Sequence, residues 1–501
     1  MDSRYLFSYV QSVVWPILAS AVLWNWGASK PSMLDVTLST AILMIATVTY
    51  SHWKVTGNSA LPLYSLLAGS FWIFYGLPCF LDDRSGYLLS TGGHILSDHA
   101  YSDAIRLVFV GLLAAGLGWS FRRPVATLRV LPPWIPSNRV YLRILLLIGS
   151  VVALSGSGTG GGLRQGFILI TSMVPGVAFS ILFRAYLQGI AQRLDQTICM
   201  VYVFSTLIQS LAGGSIGPGF ILASVGLLTY LHERKRLPLL ACVVMICGFF
   251  FLQVGKGKYR QEYWGEGNAQ KTQGESVLVR VRFWITQSAQ IWIDTLTAKS
   301  GNSVSKLLPE TALSRASLLS QTANVVEMTP GIVPYQGLRL YSYLAVTWIP
   351  RVLWPDKPSM NEANQFYQRA YLHAQDRDLA VVSIAVGYMA EGFISAGLTG
   401  TLLVMFVVGL FLRVVDRKML TGMAGPLWQA IAFFWLVRIF TVDEQFAQIF
   451  SSMAQQALVA VVLFRPMIRK ISLTPEILQA NGPLNTPESP SQPVLLPAGG
   501  D

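Results

Sequence analysis

Leu237-Pro-Leu-Leu-Ala-Cys-Val-Val-Met-Ile-Cys-Gly-Phe-Phe-Phe-Leu-Gln-Val254 runs without a single charge, and its reading decides the architecture. It begins directly after Arg234-Lys235-Arg236 and gives way to Gly255-Lys256-Gly257-Lys258-Tyr259-Arg260. A helix rises about 1.5 Å per residue, so about 20 apolar residues cross a hydrocarbon core about 30 Å thick. The run reads as a membrane-spanning helix with cations at both ends. Eleven other runs share its character: Phe7–Trp24, Val36–Trp53, Leu61–Leu81, Ala104–Phe121, Tyr141–Ser157, Gly166–Leu187, Gln196–Ala212, Gly217–Leu231, Phe393–Leu412, Pro426–Val442 and Gln448–Phe464. Over the whole chain 52% of residues are hydrophobic and 12% charged, against roughly 25% charged in soluble domains. That deficit excludes a soluble globular class. The net charge of +12 belongs to basic loops facing anionic headgroups. No recognition helix or stacking motif points to nucleic acid.

Lys and Arg orient the spans. Arg122, Arg123, Arg129, Arg139 and Arg143 follow span four, Arg184 and Arg193 span six, Arg234 to Arg236 span eight, Arg413, Arg417 and Lys418 span ten, and Arg465, Arg469 and Lys470 span twelve. With twelve spans all of these share one face, read as cytoplasmic with both termini. Asp82, Asp83, Asp98, Asp103, Asp443 and Glu444 fall on the other. The expected fold is all-α: a polytopic membrane protein of about twelve transmembrane helices, with one large external loop containing interfacial helices. Its parts are helices one to nine in residues 1–254, a periplasmic loop in 255–382, helices ten to twelve in 383–471, and a disordered cytoplasmic tail in 472–501, rich in Pro, Ser, Gly and Asn. Met1–Trp24 lacks a small-residue cleavage site and reads as a retained span. Cys79, Cys199, Cys242 and Cys247 lie in apolar runs without ligand spacing and read as small buried hydrophobes. The chain has no matching halves of the kind many transporters show.

The loop is too long and too patterned to be a linker. Val277, Val281, Trp284, Ser288, Ile291 and Thr295 recur at helical spacing, the mark of an amphipathic helix at the membrane interface. A second helix is expected over Ala312–Glu327. A third apolar stretch, Leu340–Leu353, reads as interfacial or re-entrant, ended by Pro355 and Pro358. Cations recur through the loop, among them Lys258, Arg260, Arg280, Arg282, Arg339, Arg351, Lys357 and Arg369. Each either snorkels to headgroups or holds a diphosphate at the outer leaflet, Arg through paired donors and Lys as a point charge. Arg260 and Arg351 stand at membrane boundaries, where a lipid diphosphate would sit.

Gly387-Tyr-Met-Ala-Glu391-Gly392-Phe-Ile-Ser-Ala-Gly397-Leu-Thr-Gly400 leads from the loop into span ten. A carboxylate there is costly unless it is paired or working. The glycines at 392, 397 and 400 allow close backbone approach and a broken helix. Arg438, inside span eleven, either joins such a site or pairs with Asp443 or Glu444. Gly156-Ser-Gly-Thr-Gly-Gly161 matches a dinucleotide fingerprint by letter only, with no strand before it, and reads as an external turn. His94, Asp98, His99 and Asp103 do not form a closed metal-ligand set, and His373 reads as a solvated side chain.

Pro350-Arg351-Val352-Leu353-Trp354-Pro355-Asp356-Lys357-Pro358, followed by Ala390-Glu391-Gly392-Phe393-Ile394-Ser395-Ala396-Gly397, resembles the Wzy-type O-antigen and exopolysaccharide repeat-unit polymerases. That family's pattern is Ile-Pro-Arg, Trp-Pro-x-Lys-Pro, then Gly-Glu-x-x-x-Asn-x-Gly. Arg351, Lys357, Glu391 and Gly397 fall on it, while Ala390 and Ser395 replace its first Gly and its Asn; Arg260 resembles another family arginine. The resemblance implies polymerisation of undecaprenyl-diphosphate-linked repeat units at the periplasmic face of the inner membrane, inverting and without metal or cofactor. It implies Glu391 and Arg351 as catalytic, and Lys357 and Arg260 on the diphosphate; the charge pattern adds Arg339 and Lys258 to the diphosphate set, with Arg438, Arg280 and Arg282 as further candidates. The implied partners are lipid-linked glycan donor and acceptor, membrane lipid and, in some systems, a chain-length regulator, but no nucleic acid. An O-antigen ligase shares this plan. A lipid-linked oligosaccharide flippase or other transporter, and a sensor or scaffold built around the loop, are readings of a different class.

Overall fold

A computed structural model describes residues 3–27, 31–57, 59–81, 96–121, 134–136, 139–154, 162–263, 275–297, 317–346, 349, 354, 362–375, 386–420, 425–465 and 468–470. Each of the twelve apolar runs coincides with helix. In order these are α1 (Ser3–Trp26), α2 (Met33–Thr56), α3 (Leu63–Phe71) continued by α4 (Pro78–Leu81), α5 (Asp98–Ser120), α6 (Arg139–Leu154), α7 (Gly162–Leu187), α8 (Arg193–Ala212), α9 (Gly217–Arg234), α10 (Leu239–Tyr263), then α15 (Gly387–Lys418), α16 (Gly425–Phe440) and α17 (Phe446–Phe464). Among the described residues seven helical segments are long and apolar enough to cross a membrane, and Met173–Leu187 and Gly425–Phe440 are shorter apolar helices. The exposed side chains suit lipid. On α1, Phe7, Val10, Val14, Trp15, Leu18 and Val22 all face outward, an apolar surface that water would not tolerate. This is the architecture of an integral membrane protein.

Contacts between the connections sort them into two groups. Ala60, after α2, donates its N–H to Asp416 Oδ1 (3.0 Å) and accepts from Lys235 Nζ (2.6 Å). His232, after α9, meets the Leu420 carbonyl at 3.2 Å. Arg234 donates to Leu187 O (2.8 Å), and Arg143 pairs with Asp195 (2.7 Å). Two three-residue strands, β1 (Trp134–Pro136) and β2 (Ile468–Lys470), pair antiparallel with Ile135 opposite Arg469. All of these are connections that the charge pattern assigns to one face. The other group includes Ser97, whose N–H donates to Glu327 (3.2 Å), and Ala212, whose carbonyl accepts from Arg280 (3.1 Å).

Loop elements lie between α10 and α15. α11 (Val277–Thr297) fulfils the amphipathic spacing. It buries Trp284 and Ser288 and leaves Leu278 and Ile293 exposed; Trp284 Nε1 donates to Leu252 O on α10 (2.8 Å). The boundary placed at residue 254 falls inside a helix, because α10 runs on to Tyr263. The helix expected over Ala312–Glu327 is described only as α12 (Leu319–Met328). It is embedded in the bundle rather than interfacial: Ser320, Thr322, Ala323, Asn324 and Val325 are all fully buried. A π turn at Trp72–Gly76, between α3 and α4, receives its start. The five-residue spacing leaves the Phe74 carbonyl available, and Leu318 N–H fills it (3.0 Å). The stretch Leu340–Leu353 does not form one helix. Its described part is a 3₁₀ turn at Arg339–Tyr341 and one turn of helix, α13 (Tyr343–Val346). α14 (Glu362–Leu372) was not expected.

Span ten also differs from the Phe393–Leu412 expectation. α15 is interrupted at Ala396 (φ −152°, ψ 31°) and Gly397 (φ 62°, ψ −145°), the second a conformation open only to glycine. In an unbroken helix Gly392 and Gly400 would stand about 12 Å apart. Here a Cβ on Gly392 would lie 3.0 Å from the Gly400 carbonyl oxygen, and one on Gly400 would overlap the Gly392 carbonyl. Thr401 Oγ1 donates to Met389 O at 3.3 Å. The chain folds back on itself, so Phe393–Ser395 belong to a short arm and the long arm begins after Gly397. The long arm packs along α5, where Gly118 and Gly409 bring the two backbones into contact.

Candidate functional site

The short arm of α15 carries Glu391 to a fully buried position. Its Ala390 and Ile394 pack into a cluster with Val325, Met328, Val333, Leu340, Tyr367 and Tyr371. Glu391 Oε2 accepts the Phe446 N–H at 2.7 Å, so the carboxylate sits on the first turn of α17, where a helix presents unpaired donors and positive potential. Glu391 Oε1 is enclosed without a hydrogen-bond partner. Ser395 Oγ donates to the Glu391 carbonyl (3.0 Å).

The segment ahead of α13 roofs this carboxylate. Gln336 and Gly337 donate their N–H groups to the Ile394 and Ser395 carbonyls (3.0 and 2.9 Å), which the helix break exposes. Tyr335 lies over Gly397, its hydroxyl 2.8 Å from where a Cβ would stand. Tyr341 sets its ring edge on Phe446 (centroids 5.8 Å, 88°), and Phe446 packs on Phe450 (4.3 Å). The Tyr341 hydroxyl is enclosed, with the Ser395 side chain as its hydrogen-bonding neighbour. Burial, then the charge of Glu391, push its phenol well above the usual range.

The structure separates the sequence candidates. Arg339, 61% exposed, stands two residues from Tyr341; its guanidinium is 3.8 Å from Glu362 and 5.8 Å from the Phe366 ring centre. Arg438 is committed to the turn before α17, through Glu444 (2.8 Å) and the Ser452 hydroxyl (2.7 Å). That is the pairing alternative, and it fixes the turn that supplies Phe446 N–H. Arg280 Nη1 caps the last carbonyl of α8 at Ala212, a structural task that accounts for its charge. Arg260 is partly buried in the last turn of α10; Lys258 and Arg282 are exposed. These last four belong to α10 and α11, whose buried aromatic cluster of Tyr259, Tyr263 and Trp284 is separate from that around Glu391. Arg351, Lys357, His94, the Gly156–Gly161 turn and the tail 472–501 lie outside the described residues. Among the described residues no three His, Cys, Asp or Glu side chains are grouped to hold a metal. Sequence reasoning did not single out Tyr335, Tyr341 or the α17 amide, because no spacing links them to Glu391.

A family model described as a domain of unknown function, DUF8712, matches residues 143–473, about two thirds of the chain. The chain belongs to the DUF8712 family. No curated protein and no solved structure matches it. The DUF8712 region runs from within α6 to just beyond β2 and contains Glu391 and every Arg and Lys candidate above; α5, on which the long arm of α15 rests, lies outside it.

Asp443 lies in the turn between α16 and α17, three residues before Phe446. Burial, then the adjacent Glu444, push its carboxyl up to about 6, against about 3.9 in an unfolded chain. The folded state therefore holds this proton more tightly. The stability it contributes is complete below about pH 4 and is lost as pH rises through 6. Asp443→Asn should remove that loss. In detergent its thermal midpoint should gain on wild type between pH 4 and 7, by the equivalent of about 3 kcal/mol. A gap independent of pH would exclude Asp443 as the cause.

Proposed function

We propose that this DUF8712 protein is a polymerase of undecaprenyl-diphosphate-linked oligosaccharide repeat units, of the O-antigen or exopolysaccharide type, acting at the periplasmic face of the bacterial inner membrane. The observation that carries the reading is the setting of Glu391. A buried carboxylate with one free oxygen lies beside a re-entrant break, under a segment contributed by the long loop. The resemblance marks the same residue and the same Gly397. The two groups of loop contacts agree with twelve crossings, cytoplasmic termini and a periplasmic 255–382 loop, as the Lys and Arg pattern requires.

In the reaction, an acceptor sugar hydroxyl attacks the anomeric carbon of the donor from the face opposite its diphosphate. The new C–O bond forms as the bond to diphosphate breaks, and the lipid diphosphate leaves with the electron pair. Glu391 takes the hydroxyl proton; a positioned base contributes typically about 10²–10⁴-fold. Arg351 and Lys357, by resemblance, and Arg339, by its place beside Tyr341, meet the developing phosphate charge, where one preorganised donor is often worth about 3–4 kcal/mol. Arg260 and Lys258 serve the outer leaflet at the end of α10. No metal or cofactor is required, because the diphosphate already activates the donor.

Glycan profiling of a strain lacking the gene tests the reading. Single repeat units on the final acceptor are the expected product. Long polymer left unattached would indicate a ligase, and a lipid-linked pool confined to the cytoplasmic leaflet would indicate a flippase.

A further inference from the structure

The outer side of the roof over Glu391 is apolar. Pro330-Gly-Ile-Val-Pro-Tyr-Gln-Gly-Leu338 carries no charge. Val333 turns inward to the cluster around the short arm, while Ile332, Tyr335 and Leu338 are 61%, 47% and 82% exposed. Their depth decides what they meet. Gln336 and Gly337 tie the roof to the end of the short arm, through the Ile394 and Ser395 carbonyls (3.0 and 2.9 Å), and Tyr335 covers Gly397. From there the long arm of α15 runs to the cytoplasmic connections, which it meets at Asp416, bonded to Ala60 (3.0 Å). Residues 398–417 rise about 30 Å, the thickness of a hydrocarbon core. With Arg417 and Lys418 at the inner headgroups, Leu398 and the roof beside it stand at the outer edge of the hydrocarbon. Leu398 and Leu403 are exposed on the long arm, so the apolar tip of the roof continues a surface that already faces lipid. Tyr335 suits that boundary, where aromatic rings with a polar end gather. Arg339, next after Leu338 and 61% exposed, stands at headgroup height, where a guanidinium meets phosphate.

We propose that the roof is a membrane-contact segment, with Ile332, Tyr335 and Leu338 inserted among the acyl chains of the outer leaflet. The occupant of this face is bilayer lipid, since the depth of Gly397 and the continuity with α15 both put hydrocarbon there. The leaflet then holds the roof over Glu391 from outside, as the bonds from Gln336 and Gly337 hold it from inside. Burial of a short apolar tip in the interface is enough for such contact. The inference goes beyond the transferase reading and does not depend on it.

The test uses the full-length wild-type protein in phosphatidylcholine vesicles containing a phospholipid with a diazirine on its acyl chain. Light converts the diazirine to a carbene, which water quenches, so side chains in contact with acyl chains take the label. Peptide mapping is expected to find it on residues 332–338 at a level comparable with residues 398–403. Label on 398–403 with none on 332–338 would overturn the proposal, whether water or another part of the chain covers the tip. Leu338→Asp should cut the label on the roof roughly tenfold, because a carboxylate leaves the hydrocarbon, while 398–403 stays labelled as in wild type. Unchanged label on the roof of that variant would also overturn the proposal, since the reagent would then be marking a pocket and not the bilayer. The wild-type measurement decides by itself if the variant does not fold.

Discussion

Gly400→Ala is expected to unfold the re-entrant arm and lower stability by about 3 kcal/mol or more. The added Cβ would overlap the Gly392 carbonyl, which is backbone and cannot rotate away. Ordinary overpacking costs about 1–3 kcal/mol when side chains absorb it; here the two arms must separate. Their separation would release Glu391 from Phe446 and the Ile394 and Ser395 carbonyls from the roof. Gly248→Ala in α10 is the matched control, since no atom lies within 4 Å of its Cβ position. There the substitution should be neutral or slightly stabilising, because alanine favours helix by about 1 kcal/mol over glycine. Thermal midpoints in detergent would separate the pair. Equal stability of both variants would mean that the arms of α15 do not touch.

Glu391→Gln is expected to cut polymer formation by about 10²-fold or more while leaving the protein folded. The amide oxygen of glutamine still accepts the Phe446 N–H, so the cap on α17 survives, but the side chain no longer takes a proton. Glu391→Ala should lose both. It empties a fully buried position and leaves an amide unpaired, at a cost of about 1–3 kcal/mol for the amide alone. The comparison separates a chemical role from a capping role. If glutamine lowered the thermal midpoint as far as alanine does, the carboxylate would be a structural support and not a base.

The apolar runs were legible because about 20 uncharged residues admit little else, and the sidedness of the connections because Lys and Arg fall in phase with them. The break in α15 was partly legible. Gly392, Gly397 and Gly400 announced close approach, but a hydropathy window averages across a reversal and ran span ten through it. The fate of the cations was not legible. Arg280 on a helix carbonyl, Arg438 on Glu444, and Arg339 beside Glu362 are the same letter at the same kind of boundary. Only the fold shows which charges are already spent. The burial of α12 was not legible for a related reason. Ser320, Thr322 and Asn324 give it a polar face that signals solvent, yet it is buried among membrane helices. α14 carries Ala363, Phe366, Tyr367, Ala370 and Tyr371 at helical spacing, a short signal interleaved with Asn, Gln and Arg. Tyr341 had none, since its importance comes from Phe446, more than a hundred residues away in sequence.

The most direct measurement is made on the purified full-length protein in lipid vesicles, supplied only with lipid-linked single repeat units. The account predicts a ladder of glycans growing by one repeat at a time, with one lipid diphosphate released per linkage, and no ladder from Glu391→Gln. Wild-type protein that carried the lipid-linked unit across the bilayer, or left it unjoined, would contradict it.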